Sequence, residues 1–209
     1  TFQQAVQSLN QGALLTAPQC PSQAHKETKS ANPPGEKWQQ RGQAVIERAM
    51  EHLWGKAGAR ETKFQERDPV SGEIRFRCIS PLDWLLARGL EPDTLKAARI
   101  GYIPQKWEDN PASWGLDGGP MAIAHGILIP AQVNGALWSL KIRRPAGEPK
   151  FTQVRGGKPT LYLAETLLSA PEAVCIVEGE FDALLLWQCL QHAANSRWRS
   201  LGVITLGSN

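Results

Sequence analysis

Two carboxylates four positions apart, Glu178 and Asp182, stand where an apolar run meets a glycine. The run is Val174-Cys175-Ile176-Val177; Gly179 follows the first acid, and an apolar, helix-like stretch opens around the second. This order predicts Glu178 at the carboxyl end of a buried strand and Asp182 in the first turn of the next helix. Open α/β sheets bind ligands at the carboxyl ends of their strands. Two acids there can hold a hard divalent cation, Mg²⁺ or Mn²⁺, which takes oxygen ligands and bridges to phosphate. The competing readings are structural. An acid near a helix N-terminus is favoured by the helix dipole, and Asp182 also suits a capping role. Gly179 fits a tight strand-to-helix turn, and Glu180, by its spacing, is expected at the surface.

A basic run precedes this unit: Lys141, Arg143 and Arg144, then Lys150, Arg155 and Lys158. Residues 136–144 alternate, which predicts a strand with Trp138, Leu140 and Ile142 on one side and Ser139, Lys141 and Arg143 on an exposed other side. Such a face is either a solvated strand surface or a contact for nucleic acid or triphosphate. Phosphate contacts give affinity without sequence choice and weaken with salt. Phe151 and Trp138 can stack on bases, although Trp138 shares a side with Leu140 and Ile142 and is expected to pack in the core.

These groups need elements to position them. Residues 126–133 read as a strand, and Asn134-Gly135 is the strongest hairpin signal in the chain. Strands at 174–177 and 203–206, joined by a helix near 182–191, form a βαβ-like unit. A parallel pairing of these strands puts Gly207 and Ser208 beside Glu178. Upstream, Trp38, Val45, Ile46, Ala49, Met50, Leu53 and Trp54 fall on one helical stripe, with Gly55 as a stop. Residues 56–77 are polar and contain a Ser71-Gly72 turn signal, consistent with a hairpin or a loop. Ser80-Pro81-Leu82-Asp83 is a strong helix start, and that helix stops at Gly89. A second short helix spans about 92–99. Residues 1–35 read as a tail and linker, with one short helix over the first nine.

The 209 residues are 42% hydrophobic and 21% charged, which fits a folded chain rather than a disordered one. The net charge of +3 is too small to imply a nucleic-acid partner by itself. No apolar run is long enough to cross a bilayer, so no membrane partner is expected. Cys20, Cys78, Cys175 and Cys189 form no Cys-x-x-Cys pair, which argues against a zinc site or a disulfide framework. Cys175 and Cys189 lie in apolar runs and are expected to be buried thiols, in a reducing cytoplasm. The four histidines are dispersed, without ligand spacing. The chain does not begin with Met, and Thr1 is expected to lie inside a longer product.

The segment Ile176-Val177-Glu178-Gly179-Glu180-Phe181-Asp182-Ala183 resembles the first motif of Toprim domains, a hydrophobic strand followed by Glu-Gly-x-x-Asp. Upstream, Trp84-Leu85-Leu86-Ala87-Arg88-Gly89-Leu90 and Thr94-Leu95-Lys96-Ala97-Ala98-Arg99-Ile100-Gly101-Tyr102 resemble a signature of DnaG-type bacterial and phage primases. Gly126-Ile127-Leu128-Ile129-Pro130 with its hairpin, then Pro149-Lys150-Phe151, is similar to the basic subdomain before Toprim in those enzymes. The resemblance covers about residues 38–209.

It implies an α+β to α/β chain: a small helical and basic hairpin-containing subdomain over 36–158, then an incomplete doubly wound parallel sheet over 159–209. It implies a primase catalytic core making short RNA primers on single-stranded DNA from nucleoside triphosphates, with Mg²⁺ or Mn²⁺. Glu178 takes the catalytic position and Asp182 the acidic one. The family's Asp-x-Asp strand is expected beyond Asn209. Zinc is expected only if a zinc ribbon precedes Thr1, and a replicative helicase is the expected partner. A phage or mobile-element origin fits the pattern. Two alternatives stay open: another Toprim enzyme, nuclease or topoisomerase, and a non-catalytic nucleic-acid-binding module.

Overall fold

The computed structural model describes residues 32–68 and 70–207, and those from Pro33 on form one unit. The expected helix over residues 1–9 and Ser208 lie outside the described residues. Helix α1 (Glu36–Trp54) buries Trp38, Gly42, Val45, Ile46, Ala49 and Leu53, the stripe that its periodicity sets. It ends at Gly55. Close approach shapes its seat: a Cβ on Gly42 would lie 2.5 Å from Leu137 Cδ2, and one on Gly101 would lie 2.6 Å from Ala49 Cβ.

The segment after α1 is a hairpin, β1 (Thr62–Arg67) paired antiparallel with β2 (Ile74–Ile79). Helix α2 (Pro81–Leu86) is capped by Ser80, whose Oγ accepts from the Asp83 amide at 3.0 Å and donates to Asp83 Oδ2 at 2.6 Å. Helix α3 is Pro92–Ala97. Next come β3 (Gly101–Ile103), β4 (Trp107–Asp109), β5 (Met121–Ile123), β6 (Gly126–Val133), β7 (Ala136–Arg143) and β8 (Phe151–Gln153). A four-stranded antiparallel sheet runs β3-β6-β7-β8, while β4 pairs with β5. Asn134 and Gly135 both have positive φ, 52° and 72°, as a two-residue I′ turn requires.

The sheet separates two cores. Leu128, Leu137, Leu140 and Ile142 pack with α1, Trp38 and Trp114 on one side. Ile127, Ile129 and Ala131 pack on the other with Phe64, Trp84, Tyr162, Phe181 and Val203. The register slips between Ala131 and Gln132, so Leu137, not Trp138, continues the apolar side of β7. Trp138 is half-exposed and outside both cores, contrary to its expected packing. The polar side of β7 faces the second core, where the chain's last elements lie.

Those elements are β9 (Val174–Val177), helix α4 (Glu180–Gln191), helix α5 (Ser196–Arg199) and β10 (Gly202–Thr205). Strands β9 and β10 are parallel, as a βαβ unit requires. Tyr162 bridges the far side of β10 through paired backbone hydrogen bonds with Thr205. Strand β9 is not buried on both faces as expected. Its alternate residues Val174 and Ile176 are 42% and 69% exposed, and among the described residues it pairs on one edge alone. Cys175 is half-buried, but Cys189 is exposed, because α4 turns that position to solvent. The whole is a mixed α+β fold. Among the described residues no helix is long and apolar enough to cross a membrane.

Candidate functional site

Glu178 follows the last residue of β9, and the backbone there is tied on both sides. Thr205 Oγ1 donates to the Glu178 carbonyl at 2.9 Å and accepts from the Gly207 amide at 2.9 Å. One buried hydroxyl thus links the carboxyl ends of both parallel strands. Thr205→Val is expected to lower stability by about 2 kcal/mol, since it leaves two backbone groups without their partner. Urea unfolding reads this directly, and an unchanged midpoint would show that the hydroxyl holds nothing.

Gly179 precedes α4 with φ −119°, a conformation open to any residue. A Cβ there would sit 2.9 Å from Asp182 Oδ2, so a larger residue would displace that carboxylate. The Asp182 carboxylate therefore folds back over the turn beside Glu178. Both acids are exposed, and both line a pocket of about 230 Å³. Among the described residues no group of three or more acidic, His or Cys side chains has metal-site geometry. Two carboxylates at one pocket are part of the donor set of a hard cation.

Three cations join them: Arg88, Arg143 and Lys150 line the same pocket. Arg143 is buried, not exposed as its alternation suggested, because the polar side of β7 is covered by β1 and α2. Its guanidinium lies 4.3 Å from the Trp84 ring centroid and 5.4 Å from that of Phe64, and it donates to the carbonyls of Arg144 and Gln65. Aromatic faces and carbonyls stand in for water around the charge. Burial, with the neighbouring Arg88 charge, lowers its pKa to about 10 against the pull of Glu66. Burial, with Arg143 and Arg88, also lowers the Lys150 pKa, opposed by Asp182 and Glu148. Arg88 rests 4.9 Å from the Trp84 centroid and 5.5 Å from Phe181. Three crowded cations with incomplete compensation form a site that an anion would stabilise.

The other basic residues divide. Arg144 lines an adjoining groove of about 480 Å³ with Arg67, Arg88, Arg143 and Lys150, and its guanidinium donates to the carbonyls of Glu148 and Pro149. Lys141 is not on an exposed face: its Nζ lies 2.7 Å from Glu180 Oε1, with 20% of the side chain exposed. Glu180, expected at the surface, is 4% exposed, because the start of α4 packs against β7. Gly207 has φ +78°, and a Cβ there would lie 2.7 Å from Glu180 Oε1 and 3.1 Å from Lys141 Nζ. Arg155 donates to the carbonyls of Asp117 and Gly119, and Lys158 to that of Pro33. Neither lines the acidic pocket.

Arg88 was not singled out from the sequence, where it closes a short helix like many solvated arginines. The signal available was its place four residues after Trp84, one helical turn on, which stacks it on that ring.

No protein-family model matches the sequence, and no curated protein matches it significantly. Solved structures do match in three dimensions. A structure of the DnaG primase catalytic domain bound to single-stranded DNA superposes with a TM-score of 0.53 at 15% identity, over 83% of this chain and 54% of that one. A structure of the DnaG catalytic core gives a TM-score of 0.52 at 17% identity, over 80% of this chain and 53% of that one. The chain spans about half the length of both. Over the matched residues it has the fold of a DnaG primase catalytic domain.

Proposed function

We propose that this chain carries part of the active site of a primase-type nucleotidyltransferase, which builds short RNA on single-stranded DNA from nucleoside triphosphates. One observation carries the reading: Glu178 and Asp182 line a single pocket together with Arg88, Arg143 and Lys150. The reaction needs that division of charge. A 3′-hydroxyl attacks the α-phosphorus, the bond to the pyrophosphate oxygen breaks, and the hydroxyl proton is lost. In this reading Arg88, Arg143 and Lys150 hold triphosphate or template phosphate, and Arg144 extends the contact along the groove. Glu178 is the catalytic carboxylate of the Toprim-type motif, placed to orient a metal or to accept the hydroxyl proton. Glu178 and Asp182 would hold Mg²⁺ or Mn²⁺, which supplies positive charge beside the reacting phosphate. Phe151, under Lys150, offers a ring for base stacking. Lys141 and Glu180 position the two halves of the site rather than touch substrate, and Lys158 is a peripheral contact to template. The DnaG neighbour bound to single-stranded DNA supports that template class.

The test is synthesis of RNA by the full gene product on single-stranded DNA with nucleoside triphosphates and Mg²⁺. Short RNA products are expected. A protein that binds the DNA and makes none would favour a non-catalytic binding module. The lowered pKa values add a second expectation. Arg143 loses charge as pH rises toward 10, and Lys150 sooner than an ordinary lysine. Bound phosphate favours the charged forms, so binding takes up protons there. Affinity for oligonucleotide should fall across that alkaline range, and calorimetry in buffers of different ionisation enthalpy should detect the uptake. A flat profile would remove these two groups from the phosphate site.

A further inference from the structure

The β1–β2 hairpin carries a surface that the pocket does not use. Its inner strand is fixed: Phe64 is fully buried and stacks on Trp84 at 4.8 Å, Glu66 accepts from Trp84 Nε1, and the Gln65 amide donates to the Pro145 carbonyl at 2.7 Å. The outer strand β2 is exposed almost throughout. Facing residues in the register, Lys63 with Cys78, Gln65 with Phe76 and Arg67 with Ile74, share one side of this two-stranded sheet. That side holds two cations and no acid. Phe76 is 54% exposed and Ile74 50% exposed upon it. Lys63 Nζ lies 4.4 Å from the Phe76 ring centroid. The acids Glu66 and Glu73 and their partner Arg75 are elsewhere in the register or at the turn.

This side is continuous with the cationic groove. Arg67 and Ile74 line the same groove as Arg88, Arg143 and Lys150, and the Gln65 carboxamide accepts from the Gly147 amide at its rim. Single exposed apolar residues need no explanation. An aromatic flanked by cations, on a rigid strand leading out of a basic groove, matches the surface that single-stranded nucleic acid uses: phosphates on the charges, bases on the ring.

We infer that this side of the hairpin is a platform for single-stranded DNA, where Phe76 stacks on a base and Arg67 and Lys63 hold flanking phosphates of the strand beyond the groove. The inference rests on the groove being a nucleic-acid site, as proposed above. The platform is reached only by a strand long enough to leave the groove.

The test compares oligothymidylates of about 4 and about 16 nucleotides, spanning the site sizes of single-strand binding folds, by fluorescence polarisation. The unaltered chain should bind the longer one more tightly. Phe76→Ala should weaken the longer one about tenfold, within the range of base–aromatic stacking, and leave the shorter one unchanged. Phe76→Tyr should keep the advantage of length. Circular dichroism checks the fold, which a half-exposed ring should not disturb. Equal loss at both lengths, no loss at either, or no gain with length in the unaltered chain overturns the platform. Lys150→Ala separates the two readings: short-oligonucleotide binding that ignores it rejects the groove, while a length-dependent loss in Phe76→Ala still stands for the hairpin.

Discussion

Glu178→Gln should abolish primer synthesis by the full gene product and leave the protein folded. The side chain is exposed and makes no hydrogen bond or ion pair among the described residues; only its carbonyl is held, by Thr205. Replacing the acid by its amide keeps size and shape and removes one charge. Exposed substitutions of this kind shift stability by less than about 0.5 kcal/mol. A carboxylate placed to take the attacking hydroxyl's proton typically contributes about 10²- to 10⁴-fold in rate. The expected pattern is therefore an unchanged urea midpoint with RNA yield down by at least that factor. Full primer yield would end the catalytic assignment of Glu178. A destabilised variant would instead mean that the acid serves the fold of the turn.

The second large effect is structural. Glu180 is almost wholly buried, its Oε1 meets Lys141 Nζ at 2.7 Å, and its Oε2 has no hydrogen-bond partner among the described residues. The carboxylate thus depends on the lysine for charge compensation. Lys141→Met should lower stability by about 3–5 kcal/mol, because it strands a buried charge. Lys141→Met combined with Glu180→Leu should recover much of that loss, since an apolar pair of similar volume avoids burying either charge. Urea unfolding of these two variants, of Glu180→Leu alone and of the unaltered chain closes the cycle. If the double variant is no more stable than Lys141→Met, the pair matters for something other than charge compensation. Gly207→Ala offers an independent probe, as its methyl would crowd both members of the pair at a positive φ.

These effects mark what could be read from the chain itself. The hairpin β6–β7, the start of α2 and the span of β9 follow from local chemistry: an Asn-Gly turn, a Ser-Pro cap and an apolar run closed by a glycine. The neighbourhood of Glu178, Asp182 and Gly207 was legible too, because parallel strands in a βαβ unit must end together. The fate of the charges was not. Alternation correctly separated Lys141 and Arg143 from Leu140 and Ile142, but it cannot say what covers the polar side. Here α4, α2 and β1 cover it, and all three arrive from distant parts of the sequence. Arg143 tolerates burial because Trp84 and Phe64 lie against its guanidinium, and neither is near it in sequence. Glu180 was misjudged for a related reason. Helix α4 carries Phe181, Ala183, Leu184, Leu185, Leu186 and Trp187 almost all round it, so its sequence presents no clear polar face from which to read an inward acid.

The half-bare strand β9 bears on how the purified chain behaves. One backbone edge is unpaired among the described residues, and Val174 and Ile176 on the strand expose oily side chains, as does Leu206 just past β10. Such a ribbon is a template for further pairing. At high concentration the preparation should become sticky, with light scattering that grows faster than linearly and recedes in mild detergent. Assays at micromolar dilution would then report on the single molecule.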